Sequence, residues 1–157
     1  MITTVCGDIA REELGKVLPH EHLLIDLRVF TNPPKDGKGV FYDKLAMENL
    51  RYVRKDPYSI RDNAIMDDEA IAICEAEFFR EAGGGTIVDV TLDTIGRDPE
   101  ALKRISRAAG VNVVMGCGFY VAAAHPVGIE ARSEEELAAE MIRDLREGVR
   151  GTGIRAG

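Results

Sequence analysis

The sequence predicts an α/β protein built on a parallel sheet, and three observations carry that class. Short β-branched runs alternate along the chain with amphipathic segments of helical period. Capping residues open these segments and glycines close most of them. The strands read as continuous apolar runs, which need cover on both faces, as in a parallel sheet overlaid by helices. About three β/α units and the start of a fourth fit within the 157 residues.

In chain order, residues 2–18 read as two short extended pieces about a turn at Gly7-Asp8, and a strand near 16–20 follows. Residues 31–64 break the regularity. Pro33, Pro34, Gly37 and Gly39 precede a charged stretch interrupted by Pro57, with room for one short helix near 42–54. Loops of this length inside a domain are functional or disordered. From Asp67 the pattern is regular. Asp67, Asp68 and Glu69 suit the positive end of a helix dipole. Ile71, Cys74, Phe78 and Ala82 give an apolar stripe, and Gly83-Gly84-Gly85 ends a helix predicted over 67–82.

Residues 86–91 form a β-branched strand. Asp98 then caps a helix over 98–109, with Pro99 at its first position. Leu102, Ile105 and Ala109 face inward and Gly110 stops it. Residues 112–117 are the next strand. Ser133 and Glu136 make a capping box for a helix over 133–148, whose stripe is Ala138, Met141, Leu145 and Val149. Ile154 opens one more strand.

A 45% hydrophobic and 30% charged composition is that of a globular protein. The net charge of −7 and the lack of a basic stripe argue against a nucleic-acid partner. No run approaches the roughly 18–20 apolar residues that span a bilayer, so no membrane role is expected. Cys6, Cys74 and Cys117 are too scattered for a disulfide framework, and the latter two are expected as buried thiols. The first residues lack the basic head and apolar core of a secretory signal, which predicts a cytoplasmic protein.

The chemistry concentrates in Gly15-Lys16-Val17-Leu18-Pro19-His20-Glu21-His22. Alternate residues of a strand share a face, so His20 and His22 leave together while Glu21 leaves opposite, in a structural role. Two adjacent imidazoles can chelate one divalent ion. An arbitrary His-x-His is more often two incidental loop residues. Here an apolar strand precedes the pair and Leu23, Leu24 and Ile25 follow it. Imidazoles at a buried strand end are costly unless partnered, which favours a metal.

The segment from Gly15 to Leu24 resembles the opening of the phosphotriesterase-related proteins in the amidohydrolase superfamily. So do Ala82-Gly83-Gly84-Gly85-Thr86-Ile87-Val88-Asp89-Val90-Thr91, Gly96-Arg97-Asp98, Gly116-Cys117-Gly118-Phe119-Tyr120 and Gly148-Val149-Arg150-Gly151-Thr152-Gly153-Ile154. The blocks follow the family's order over nearly the whole chain. The resemblance implies a TIM (β/α)8 barrel of the metal-dependent hydrolase type, of which residues 1–157 are the N-terminal part. Residues 1–15 would be an extended turn, and 16–157 the first three to four β/α units with the long loop 31–64.

It further implies a binuclear site at the C-terminal strand ends. His20 and His22 match ligands of one ion. The other family ligands are a carboxylated lysine or a glutamate on strand 4, two histidines and an aspartate, all beyond Gly157. Arg155 is not that lysine, because a guanidinium does not form the carbamate. Zinc is expected, with manganese or cobalt as alternatives. A metal-bridging hydroxide would attack a lactone, carboxylester or phosphotriester. Tyr120 matches the aromatic that lines the family's substrate pocket.

Asp89, between Val88 and Val90, is a candidate to orient a histidine ligand, and Asp26 is a second one. His125 fits no ligand position and is read as ordering a loop; Arg97 and Asp98 read as loop and N-cap. Two other classes compete. One is a catalytically inactive fragment that acts only through association, since an unclosed sheet exposes an edge and favours a homodimer. The other is a TatD-like metal-dependent nuclease, which also opens with His-x-His but lacks the later blocks.

Overall fold

Three parallel strands organise the computed structural model, which describes residues 1–157. An antiparallel hairpin of β1 (Ile2–Thr4) and β2 (Gly7–Ile9) leads to β3 (Lys16–Glu21), the first of the three. After β4 (Ile25–Asp26) comes the excursion with its single short helix α1 (Leu50–Lys55), closed by β5 (Ile65–Met66). Then α2 (Glu69–Glu81), β6 (Gly84–Asp89), α3 (Pro99–Ala109), β7 (Asn112–Met115) and α4 (Glu134–Arg146) alternate. The sheet order is β3-β6-β7, every pair parallel, as the alternation predicts.

Local chemistry explains the boundaries. The Asp68 carboxylate caps α2 by accepting from the Ala70 and Ile71 N–H groups. Asp98 accepts from Ala101 N at 3.0 Å to start α3, and Gly110 ends it at φ +69°. The triple glycine turns and also permits close packing. A Cβ on Gly84 would lie 2.3 Å from the Phe79 ring, and one on Gly85 would lie 2.4 Å from the Leu14 carbonyl oxygen. β3 and α2 can therefore both close onto β6.

The main core joins Ile87 of β6, Val113 and Met115 of β7, and Leu102 and Ile105 of α3. Burying each such side chain is worth roughly 1.5–3 kcal/mol. Val5 enters this core and donates its N–H to Val113 O at 2.9 Å, so the N-terminal hairpin covers part of the β7 edge.

Four expectations need correction. The α4 stripe is not sealed: Leu145 is 41% exposed, and Val149 is buried beyond the end of the helix. The α2 stripe is displaced: Ala72 and Ala76 are buried with Ile73 and Phe79 beside them, while Ile71 and Phe78 are 62% and 58% exposed. Both faces of α2 are apolar, and its alanines allow the closer approach to β6. Cys74 is exposed rather than buried, because it shares the outer side, and Cys117 is only half-buried. Finally, the first strand end is not buried. β3 is the sheet edge, His20 is exposed and His22 half-buried.

The excursion is ordered around its own contacts. β4 and β5 pair antiparallel at its neck, Ile25 with Met66 and Asp26 with Ile65. Inside it Phe41 and Ile60 are buried, and Arg61 N–H donates to Phe41 O at 2.9 Å. A second small core of Ile25, Ile95 and Ala124, with Leu27, Phe30 and Leu92 against it, ties together the segments that follow β3, β6 and β7. No helix is long and apolar enough to cross a membrane.

Candidate active site

The histidine pair sits at the C-terminal end of β3, where the ladder is irregular. Leu18 pairs with Ile87 and Glu21 with Asp89, so three steps on β3 oppose two on β6. Pro19 lies within that bulge and has no N–H to give to a ladder. The two imidazole rings converge, with centroids 5.8 Å apart and planes at 81°.

Thr91 sets the protonation of His22. Its hydroxyl donates to Leu24 O at 3.0 Å, so it has no proton left for the imidazole 2.9 Å away. With the hydroxyl so engaged, the tautomer that fits has the proton on His22 Nδ1, donated to Thr91 Oγ1, and the Nε2 lone pair unencumbered. Burial holds the His22 pKa below its ordinary 6.5, against the pull of the Asp89 charge, and His20 adds to the depression. A neutral imidazole with a free Nε2 has the form that ligates a metal ion.

Asp89 is completely buried and makes no hydrogen bond to either imidazole. Its carboxylate accepts from Leu23 N at 2.7 Å and Thr91 N at 3.0 Å. It thus fixes the backbone on both sides of the His22–Thr91 contact. Burial raises its pKa, opposed by those hydrogen bonds. Asp26 is turned elsewhere: both its oxygens take the Arg28 guanidinium, with Nε at 2.8 Å from Oδ1. The pair His20/His22 has nitrogen donors suited to a divalent cation. No group of three His, Cys, Asp or Glu side chains within the chain is placed to hold one.

Tyr120 follows β7 and presents its ring edge-on to Phe30 of the first loop, centroids 6.2 Å apart. His125 Nε2 donates to Tyr120 O at 2.8 Å, the loop-ordering role read for it. Arg97 does more than the sequence suggested. Its guanidinium is 5% exposed, donating to Gly116 O at 3.0 Å and to Asp144 Oδ2 of α4 at 3.1 Å. Gly116 leads directly into Cys117-Gly118-Phe119-Tyr120, so this clamp fixes the base of the Tyr120 loop. The Cys117 thiol there has a raised pKa, through burial first and the Asp144 charge second, which keeps it protonated.

Comparison with known proteins gives one consistent neighbourhood. The sequence profile of the Phosphotriesterase family matches residues 1–157. The chain is 37% identical over 158 residues to the N-acetyltaurine hydrolase of Xenopus tropicalis, covering 99% of this chain and 45% of that protein. It is 38% identical over 162 residues to a phosphotriesterase-related protein of Nematostella vectensis, covering 100% of this chain and 46% of that one. Among solved structures, a resiniferatoxin-binding protein from Rhodobacter sphaeroides superposes with a TM-score of 0.93 at 40% identity, over 99% of this chain and 44% of that one. A mutant of a PTE-like lactonase from Deinococcus radiodurans does so at 0.69 and 28%, over 100% and 43%. The chain spans somewhat less than half the length of these relatives.

Proposed function

The chain belongs to the phosphotriesterase family, and on that premise we propose that its histidine end is the first part of a metal-dependent hydrolase site. Its three parallel strands are the opening staves of a TIM-type barrel. Such barrels carry their catalytic groups at the C-terminal strand ends, where His20 and His22 lie and which Tyr120 follows. The observation that carries the reading is the convergence of the two imidazoles at the end of β3, with the His22 Nδ1 side held 2.9 Å from Thr91 Oγ1.

His20 and His22 would hold one divalent ion, zinc before manganese or cobalt, and the remaining ligands are assigned to residues beyond Gly157. When bound, the ions of such a site polarise the scissile group and lower the pKa of water to near neutrality. This chain's own contribution is positioning. Burial keeps His22 neutral, Thr91 and Asp89 orient it, and Arg97 and His125 hold the Tyr120 loop as a pocket wall.

The substrate proposed is a small molecule with an acyl bond: an N-acyl amide, then a lactone or a carboxylester. Relatives 34–38% identical, several of them named for hydrolysis of N-acetyltaurine, and a solved relative named as a lactonase support that order. Phosphotriesters come second, since the organophosphorus hydrolase, at 27% identity, is more distant than the N-acetyltaurine hydrolases at 34–37%. A cytoplasmic, homodimeric enzyme is part of the same proposal.

The test is metal stoichiometry and hydrolysis measured side by side on the full-length protein. His20→Ala and His22→Ala should each lower metal content and turnover together. Tyr120→Phe should keep its metal and change rate or substrate preference. Residues 1–157 alone should not turn over any of these substrates. Full activity in metal-free His20→Ala protein would overturn the proposal.

A further inference from the structure

The excursion between β4 and β5 forms an open cavity of about 310 Å3 that the histidine site leaves unused. This lies at the lower end of small-molecule pockets, roughly 300–1,000 Å3. Part of its lining is aromatic: Phe41 is buried, and the Phe30 and Tyr58 rings meet at 5.9 Å. Its polar groups are mixed, and the Lys38 ammonium is the one that can only donate. The Asn32 amide and the Lys38 ammonium line it, and no carboxylate pairs with that ammonium. The Ser59 hydroxyl oxygen is buried with no hydrogen-bond partner. Asp56 is the one carboxylate on the wall, and its Oδ1 already accepts from Tyr58 N at 2.9 Å.

A buried hydroxyl is rarely left unpaired. An ammonium with no carboxylate partner and an unpaired hydroxyl beside aromatic faces suit an acceptor-rich anionic group on an apolar body. Phe30 connects this cavity to the candidate active site, tilted against Tyr58 on one side and edge-on to Tyr120 at 6.2 Å on the other. We infer that the cavity binds a small organic anion, a carboxylate or sulfonate, as the distal end of the substrate; that last clause rests on the hydrolase reading. The Lys38 ammonium, the Asn32 amide and the Ser59 hydroxyl donate to the anion, and Phe30 and Tyr58 contact its body.

The test titrates benzoate, benzenesulfonate, benzamide and benzylamine into the full-length protein by calorimetry. Both anions, or one of them, should bind on the order of tenfold more tightly than benzamide, and the stronger of the two names the headgroup. Benzylamine should not bind. Lys38→Met alters an exposed side chain, so the fold should persist; it should cost the anions about tenfold and leave benzamide unchanged. Ser59→Ala should weaken anion binding severalfold, which a merely structural hydroxyl would not do. Equal binding of benzamide or benzylamine, or an indifferent Lys38→Met, overturns the inference. The two readings fail separately. Anion binding without any hydrolysis removes the hydrolase and keeps the cavity, whereas hydrolysis without anion preference does the reverse.

Discussion

The β7–α3 side of the molecule and its β3–α2 side are written in similar sequence patterns but covered to different degrees. On α3 a single apolar stripe is sealed, with Ala101 and Ile105 at 0% exposure and Leu102 at 2%. On α2 the alanine face is sealed, while Ile71 and Phe78 stand in solvent. β7 is buried along Val113–Met115, whereas Val17 on β3 is 40% exposed and His20 lies open. The groups with the most chemistry therefore sit on the less covered strand, and the buried polar groups that hold the loops sit toward the covered side. Close packing there fixes the geometry, and the open strand end leaves the imidazoles accessible.

The strongest way to break this comparison is Asp144→Ala. It strips the buried Arg97 guanidinium of its main carboxylate, leaving only Asp93 at 3.6 Å. Removing one partner of a buried pair costs about 3–5 kcal/mol, and the surviving Asp93 contact places the expected loss at the lower end. Urea denaturation measures it, and a loss under about 1 kcal/mol would show that the clamp carries no weight. The next contrast is Ile105→Ala against Phe78→Ser. The first should cost about 2–5 kcal/mol through a core cavity. The second should stay within about 0.5 kcal/mol, as at any exposed site. Equal losses in the full-length protein would mean that the outer face of α2 is covered there.

These contrasts track what could be read from sequence. The histidine pair, the Asp98 and Ser133 caps and the α3 stripe were legible because each is local, set by spacing or by a single turn of chain. The covered face of α2 was not, since periodicity identifies apolar faces but not the neighbour that meets them. Thr91 and Arg97 were missed for a related reason. Thr91 lies 69 residues from His22, and Arg97 lies 47 from Asp144. One signal was present: Asp89 and Thr91 are both polar at alternate positions of an otherwise apolar strand, hence on one face. That pairing points to a buried polar network beside the histidines, although its partners come only from the fold.

Thr91→Val sharpens the comparison at the site itself, by removing the acceptor of the His22 Nδ1 proton with little change of shape. Loss of such a supporting hydrogen bond typically costs 10–100-fold in metal affinity, and zinc competition titrations on the full-length protein would measure it. The pH dependence has a definite sign. His22 has a pKa below 6.5 in the folded chain, mainly through burial. Its stabilising contribution is therefore present above pH 6.5 and lost as pH falls from there through the folded value. Metal affinity should fall over the same window, because only the neutral imidazole binds. A Thr91→Val protein with unchanged affinity would remove the orienting role.

The smallest effect is expected for Asp26→Asn, which separates two roles open to a carboxylate close to the His pair in sequence. One role is to orient an imidazole; the other is to brace the loop that leaves β4. The contacts favour the brace: Asp26 Oδ1 accepts from Arg28 N at 3.0 Å and from Arg28 Nε at 2.8 Å, and no histidine is among its partners. The Arg28 side-chain hydrogen bond holds the Asp26 pKa below the ordinary 3.8. The stability this gives is present above pH 3.8 and is lost as pH falls through the lower folded value. A pair this close to solvent contributes about 0–1 kcal/mol. Asp26→Asn should therefore shift the denaturation midpoint slightly and leave zinc affinity unchanged, whereas a tenfold loss of zinc would place Asp26 behind a histidine and make the open side of the molecule more organised than its exposure indicates.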